Sequence, residues 1–143
     1  MYRVERRFTL PIGHRLSLHD GRCSSIHGHN FVVLVGVMSE KLNENYMVID
    51  FSHLKAVVDG LLDRLDHCLM INQTDFEIGK KLRNMGMRVL NVDYDPTAEK
   101  ISEDLYNQIG KTLKKMYPEI ELEYVTIYEN EDSKATYSIE HVV

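Results

Sequence analysis

Phe31 to Val37 reads Phe-Val-Val-Leu-Val-Gly-Val, a β-branched, apolar run that predicts a strand beginning near His27, after the turn-prone Asp20-Gly21. An earlier strand is expected from about Tyr2 to Ile12, where charged and apolar residues partly alternate. The two should pair as a long hairpin, with residues from His14 to Ile26 forming the excursion between them. After the candidate cap Ser52, Leu54, Val57, Val58, Leu61, Leu62 and Leu65 recur at the three-and-four spacing of an amphipathic helix, which should end near Asp66. A second helix is announced by Asp95 as cap with Pro96 at its first position. It would carry Ile101, Leu105, Ile109 and Leu113 inward and stop short of Pro118.

Leu122 to Glu129 and Ala135 to Val142 alternate around Asn130, Glu131, Asp132 and Ser133, the pattern of a closing hairpin. The order is then ββααββ: an α+β chain with a four-stranded antiparallel sheet and two helices on one face. The stretch from Gln73 to Asp95 has room for a short helix, Phe76 to Met85, and a short strand, Arg88 to Val92.

At 143 residues and 43% apolar content the chain can build a core as one domain, residues 1–143. No apolar run approaches the roughly 18 to 20 residues of a membrane-spanning helix, and Met1-Tyr2-Arg3-Val4-Glu5-Arg6-Arg7 lacks a signal peptide's apolar stretch. A cytoplasmic protein without a membrane partner is expected. A net charge of -5 with interspersed signs argues against nucleic acid, though a few local cations could still hold a small phosphorylated ligand. Cys23 and Cys68 read as reduced thiols rather than a disulfide framework.

Within Cys23-Ser24-Ser25-Ile26-His27-Gly28-His29, two histidines two apart at a strand's start project from one face of the sheet and can grip one ion. His14, at the end of the partner strand, offers a third imidazole. Three imidazoles leave one tetrahedral zinc position open, as in catalytic sites. Cys23 as a fourth ligand would instead make a closed structural site, and ordinary surface or core histidines are the bland alternative. Outside the metal, Cys23 could be a base or nucleophile, or simply a small buried side chain. Asp66-His67 ends the first helix. A carboxylate beside an imidazole fixes its tautomer, but a helix-end Asp and His are also explained by capping and the macrodipole. Glu129, at a strand end, could take paired N–H groups from a guanidine-like heterocycle or be no more than a polar hairpin residue. His19, His53 and His141 have no partner motif.

Phe8 with His14, Cys23 before His27-Gly28-His29, Ile49-Asp50-Phe51 leading into Leu54-Lys55, Leu65-Asp66-His67, Pro96-Thr97-Ala98-Glu99 and Glu129 form, in order and over nearly the whole chain, a set that resembles the 6-pyruvoyltetrahydropterin and 6-carboxytetrahydropterin synthase family. The resemblance implies the tunnelling fold, with subunit sheets joined into a barrel, a homohexamer of two stacked trimers and active sites at subunit interfaces. It implies zinc (Zn2+) on His14, His27 and His29. Cys23, Asp66 and His67 would be the proton-handling residues, and Glu129 would anchor the pterin, with Thr97 and Glu99 as further pocket candidates. Arg15 and Arg22 are candidates for the triphosphate of 7,8-dihydroneopterin triphosphate. The expected product is 6-carboxytetrahydropterin with release of acetaldehyde, in the 7-deazaguanine and queuosine pathway. The alternatives are a 6-pyruvoyl product in tetrahydrobiopterin synthesis, a non-catalytic pterin or purine binder, and a zinc-stabilised assembly module. The segment Leu10-Pro11-Ile12-Gly13 departs from the small residues common before the first histidine, so the strand end there could be reshaped.

Overall fold

In the computed structural model, which describes residues 1–139, the leading hairpin is the backbone of a single sheet. Strand β1 (Tyr2–His14) pairs antiparallel with β2 (His27–Ser39) without interruption from Tyr2 opposite Ser39 to His14 opposite His27. Pro11 does not reshape the strand end. It needs no ladder N–H there, and its carbonyl accepts from the His67 backbone N–H at 2.8 Å.

Helix α1 spans Phe51–Leu62 and buries Leu54, Val57, Val58 and Leu62, as the periodicity predicts. Its cap is Asp50, not Ser52. The Asp50 carboxylate accepts from the Ser52 backbone N–H at 2.8 Å and its hydroxyl at 2.6 Å, so Ser52 serves as donor within the first turn. The helix gives way to turns after Leu62, short of the expected Asp66. The long helix runs Ala98–Met116 with Ile101, Leu105, Ile109 and Leu113 buried. Its cap is Thr97, whose hydroxyl accepts from the Lys100 N–H at 3.2 Å; Asp95 is engaged elsewhere, as described below.

The sheet has six strands among the described residues rather than four. β3 (Leu69–Asn72) and β4 (Val89–Val92) add in parallel beside β1, while β5 (Glu121–Asn130) and β6 (Ser133–Tyr137) continue the antiparallel side, giving the order β4-β3-β1-β2-β5-β6. Parallel strands lack the polar alternation that marks a half-exposed strand, which is why Leu69-Met70-Ile71-Asn72 was not legible as one. The part of the expected last strand beyond residue 139 lies outside the described residues.

Alternation sorts the two faces. Phe8, Leu10, Ile12, Phe31, Val33, Val35, Val125 and Ile127 enter the core under α1 and the long helix. Met70, opposite His14, joins them, whereas Ile71 lies against Gly79 of the intervening helix α2 (Phe76–Asn84). The long helix is therefore α3, and α2 covers the other face only at the β3–β4 edge. The rest of that face, including Arg7, Thr9, Val32, Leu34 and Tyr128, has no helix over it among the described residues and lines a hollow of about 700 Å³. Each fully buried Leu or Ile on the covered side contributes about 1.5–3 kcal/mol.

Candidate metal centre and active site

The hairpin register fixes the site. His14 stands directly opposite His27, and His29 follows two residues on, opposite Ile12, so all three rings leave the sheet on the covered face at its open end. Ring centroids lie 4.5 Å (His14 to His27), 5.0 Å (His27 to His29) and 5.1 Å (His14 to His29) apart. Phe31, fully buried, forms an apolar floor, 5.6 Å from the His14 ring and 5.4 Å from His29.

The ring nitrogens are sorted by backbone carbonyls. His14 Nδ1 bonds the Pro96 carbonyl at 2.8 Å and His27 Nδ1 the Ser25 carbonyl at 2.7 Å, which makes each Nδ1 the N–H donor and leaves Nε2 with its lone pair. His14 Nε2 and His29 Nε2 are buried without a hydrogen-bond partner. Burial is the main influence on His14 and holds its pKa below the ordinary histidine value, against the Pro96 carbonyl, which favours the charged ring. Unpaired buried nitrogens facing one another are costly unless something electron-poor sits between them. His14, His27, His29 and Glu129 place one ligand atom each within 4.8 Å of one another, a group that could hold a metal ion.

Glu129 reaches this group because β5 alternation puts it on the face of Val125 and Ile127. Its Oε1 lies 3.1 Å from His29 Nε2 and 3.3 Å from His14 Nε2. These are ion-pair distances without hydrogen-bond geometry, which is why the two nitrogens remain unpaired. The sequence placed Glu129 at a strand end but gave no register that would bring it to the histidines.

Cys23 is half-buried in a short 3-10 turn, Arg22–Ser24, within the excursion between His14 and His27, and is not part of the converging group. The excursion is held by a latch that sequence reading missed. Leu16 N–H bonds the Cys23 carbonyl at 2.9 Å. Arg15 donates to the Ser24 carbonyl at 2.7 Å and to Asp75 at 2.5 Å. Arg15 is thus engaged in a half-buried ion pair, whereas Arg22 is exposed. Asp95 accepts from Ser17 Oγ at 2.6 Å, Leu18 N–H at 2.9 Å and Asn72 Nδ2 at 3.0 Å.

Burial opposes the Asp95 anion, but these donors outweigh it and hold its pKa below the ordinary carboxylate value. The sign follows: the latch's contribution is full above the unfolded pKa of about 4 and is lost as pH falls through the lower folded value. Asp95→Asn should therefore cost about 1–2 kcal/mol at neutral pH and less as pH falls below about 4. Thermal melts at neutral and acid pH check this.

Asp66 and His67 are bonded, Asp66 Oδ1 to His67 Nδ1 at 2.7 Å. Neighbouring side chains seldom meet in this way; here His67 takes a left-handed φ of 57°, a conformation that favours glycine, at the turn leaving α1. The pair is exposed, with the His67 side chain at 77%. His67 lines a hollow of about 720 Å³ with Gly13, Gly28, Asn30 and Met87, and His27 and His29 border it as well. Gly28 and Asn30 alternate with His27 and His29 along β2. His67 is not among the residues whose ligand atoms converge with those of His14, His27 and His29.

Thr97 and Glu99 lie at the start of α3, beside the Pro96 carbonyl that holds His14; Thr97 is spent on capping and Glu99 is exposed. Cys68 is buried, and desolvation pushes its thiol pKa up, which fits an inert packed neighbour. His19 accepts from the Gly21 N–H, His53 stacks on Tyr117, and His141 lies outside the described residues. No helix among the described residues is long and apolar enough to cross a membrane.

A helix-backed mixed sheet built on a long antiparallel hairpin, with a histidine-carboxylate group at the hairpin's mouth, defines a tunnelling-fold protein. A family model described as 6-pyruvoyl tetrahydropterin synthase matches residues 3–140, and the chain belongs to that family. Among its relatives is a 6-carboxy-5,6,7,8-tetrahydropterin synthase of Rickettsia bellii, 35% identical over 76% of this chain and 80% of its own. One of the same name from Aquifex aeolicus is 29% identical over 97% of this chain and 99% of its own. Among solved structures, an uncharacterized protein of Wolinella succinogenes matches with a TM-score of 0.80 at 22% identity, covering 97% of this chain and 98% of that one. A 6-pyruvoyl tetrahydropterin synthase of Caenorhabditis elegans matches at 0.71 and 24%, covering 97% and 96%. At those identities the structures speak for the fold alone.

Proposed function

We propose that this chain is a 6-carboxy-5,6,7,8-tetrahydropterin synthase, converting 7,8-dihydroneopterin triphosphate and one water to 6-carboxytetrahydropterin, acetaldehyde and triphosphate, with zinc held by His14, His27 and His29. The observation that carries the reading is that relatives bearing that name match three quarters of the chain at up to 35% identity, and 97% of it at 29% in the Aquifex aeolicus case. The donor set suits zinc: three imidazole nitrogens and a carboxylate oxygen on a dry aromatic floor. When bound, such an ion supplies Lewis acidity at the substrate's side-chain hydroxyls and acidifies the neighbouring C–H bonds.

The chain's own residues would do the rest. Cys23, held on the returning arm of the latched excursion, takes and returns protons on the side-chain carbons. His67, its tautomer set by Asp66, exchanges protons on the opposite side of the reacting carbons. Glu129 receives the guanidine-like edge of the pterin through both carboxylate oxygens. Thr97 and Glu99 border that pocket. His67 lies outside the converging ligand group of its own chain, and His67 of a neighbouring copy would complete the set. The uncovered sheet face with Val32, Leu34 and Tyr128 is a surface such a copy would cover. We infer a homo-oligomeric barrel, a hexamer by resemblance, working in the cytoplasm and in the 7-deazaguanine branch.

The test is metal-dependent turnover. The protein as purified should contain about one zinc per chain, lose activity on chelation and regain it with zinc. Full activity in metal-stripped protein would contradict the zinc assignment.

A further inference from the structure

Glu129 occupies the place of a fourth ligand. Its Oε1 lies 3.1 Å and 3.3 Å from two imidazole nitrogens that have no hydrogen-bond partner. In a tetrahedral zinc site with bonds of about 2.0–2.1 Å, neighbouring donor atoms stand about 3.4 Å apart. The two observed distances are close to edges of such a tetrahedron. Neither is a hydrogen bond: the His29 contact lacks the geometry, and His14 spends its ring N–H on the Pro96 carbonyl and turns only a lone pair toward the carboxylate. A lone pair and a carboxylate oxygen repel one another unless a cation lies between them. Cys23, the other candidate for the fourth position, is outside the group.

We propose that Glu129 closes the metal centre at rest as its fourth ligand and leaves it when the pterin arrives. This rests on the zinc reading above. Paired recognition of a guanidine-like edge uses both carboxylate oxygens, so Glu129 cannot hold the pterin in that way and remain on the ion. Pterin binding would then open a coordination position for the substrate's hydroxyls at the moment they arrive. The closed resting centre also has no vacancy for the Cys23 sulfur, which stays free for proton transfer.

Cobalt(II) in place of zinc provides a visible spectrum that reports the ligand set. The wild-type oligomer should give a four-coordinate spectrum that millimolar acetate does not alter. Glu129→Ala should change the spectrum, and acetate, a small carboxylate, should restore it. Glu129→Gln should weaken zinc binding at least about tenfold by chelator competition, and melts of the metal-free variants check that both fold. 7,8-Dihydroneopterin, which lacks the triphosphate, should move the wild-type spectrum. If Glu129→Ala and Glu129→Gln match the wild type in spectrum and zinc affinity while His27→Ala loses the metal, the centre stands and the ligand role of Glu129 is overturned. A wild-type spectrum unmoved by saturating dihydroneopterin overturns the exchange. A wild-type protein that takes up neither metal overturns the zinc reading itself.

Discussion

Replacing Cys23 by alanine should lower kcat by about 10²–10⁴-fold, the span of a lost general base, while leaving pterin affinity and zinc content near wild type. The separation is the informative part. Cys23 is held by backbone contacts of the excursion, through its carbonyl and the neighbouring Ser24 carbonyl, and these survive removal of the thiol. It does not belong to the group that converges on the metal position, so zinc content should not fall. Stopped-flow binding with steady-state kinetics would measure both. A variant that keeps its turnover removes Cys23 from the chemistry; one that loses zinc makes it a ligand.

His14→Ala and His27→Ala should both lose zinc affinity by at least about a hundredfold, yet differ when no metal is present. His14 is 1% exposed, and its Nδ1–H is the donor to the Pro96 carbonyl at the start of α3. Removing it leaves that carbonyl short of a donor and costs about 1–3 kcal/mol, a fall of several degrees in the melting temperature of metal-free protein. His27 is half-exposed and bonds only a carbonyl of its own loop, so its loss should move the metal-free melt by no more than about 0.5 kcal/mol. Equal metal-free melts would show that the Pro96 contact contributes nothing to the fold.

The hydrophobic pattern revealed the parts of this fold whose periodicity is strong. α1, α3, the β1–β2 hairpin and the β5–β6 hairpin all follow from alternation or three-and-four spacing, and the His14, His27, His29 set follows from the hairpin they share. β3 escaped because a short buried parallel strand has no alternation to read. Caps were misplaced by a residue or two because Asp50, Ser52, Asp95 and Thr97 all carry capping oxygens, and tertiary partners decide which one caps: Asp95 is drawn to Ser17, Leu18 and Asn72. The carbonyls of Ser25 and Pro96 that fix two imidazoles leave no trace in sequence, since every residue has one. The Arg15–Asp75 pair joins residues sixty positions apart and needed the fold to be seen. The left-handed backbone at His67, which turns a mere dipeptide into a bonded pair, was likewise invisible.

The most direct test of the central claim is to give zinc-loaded protein 7,8-dihydroneopterin triphosphate and identify the products by mass spectrometry. The account predicts 6-carboxytetrahydropterin together with acetaldehyde and triphosphate. A 6-pyruvoyl product without acetaldehyde, or no conversion by metal-replete assembled protein, would contradict it.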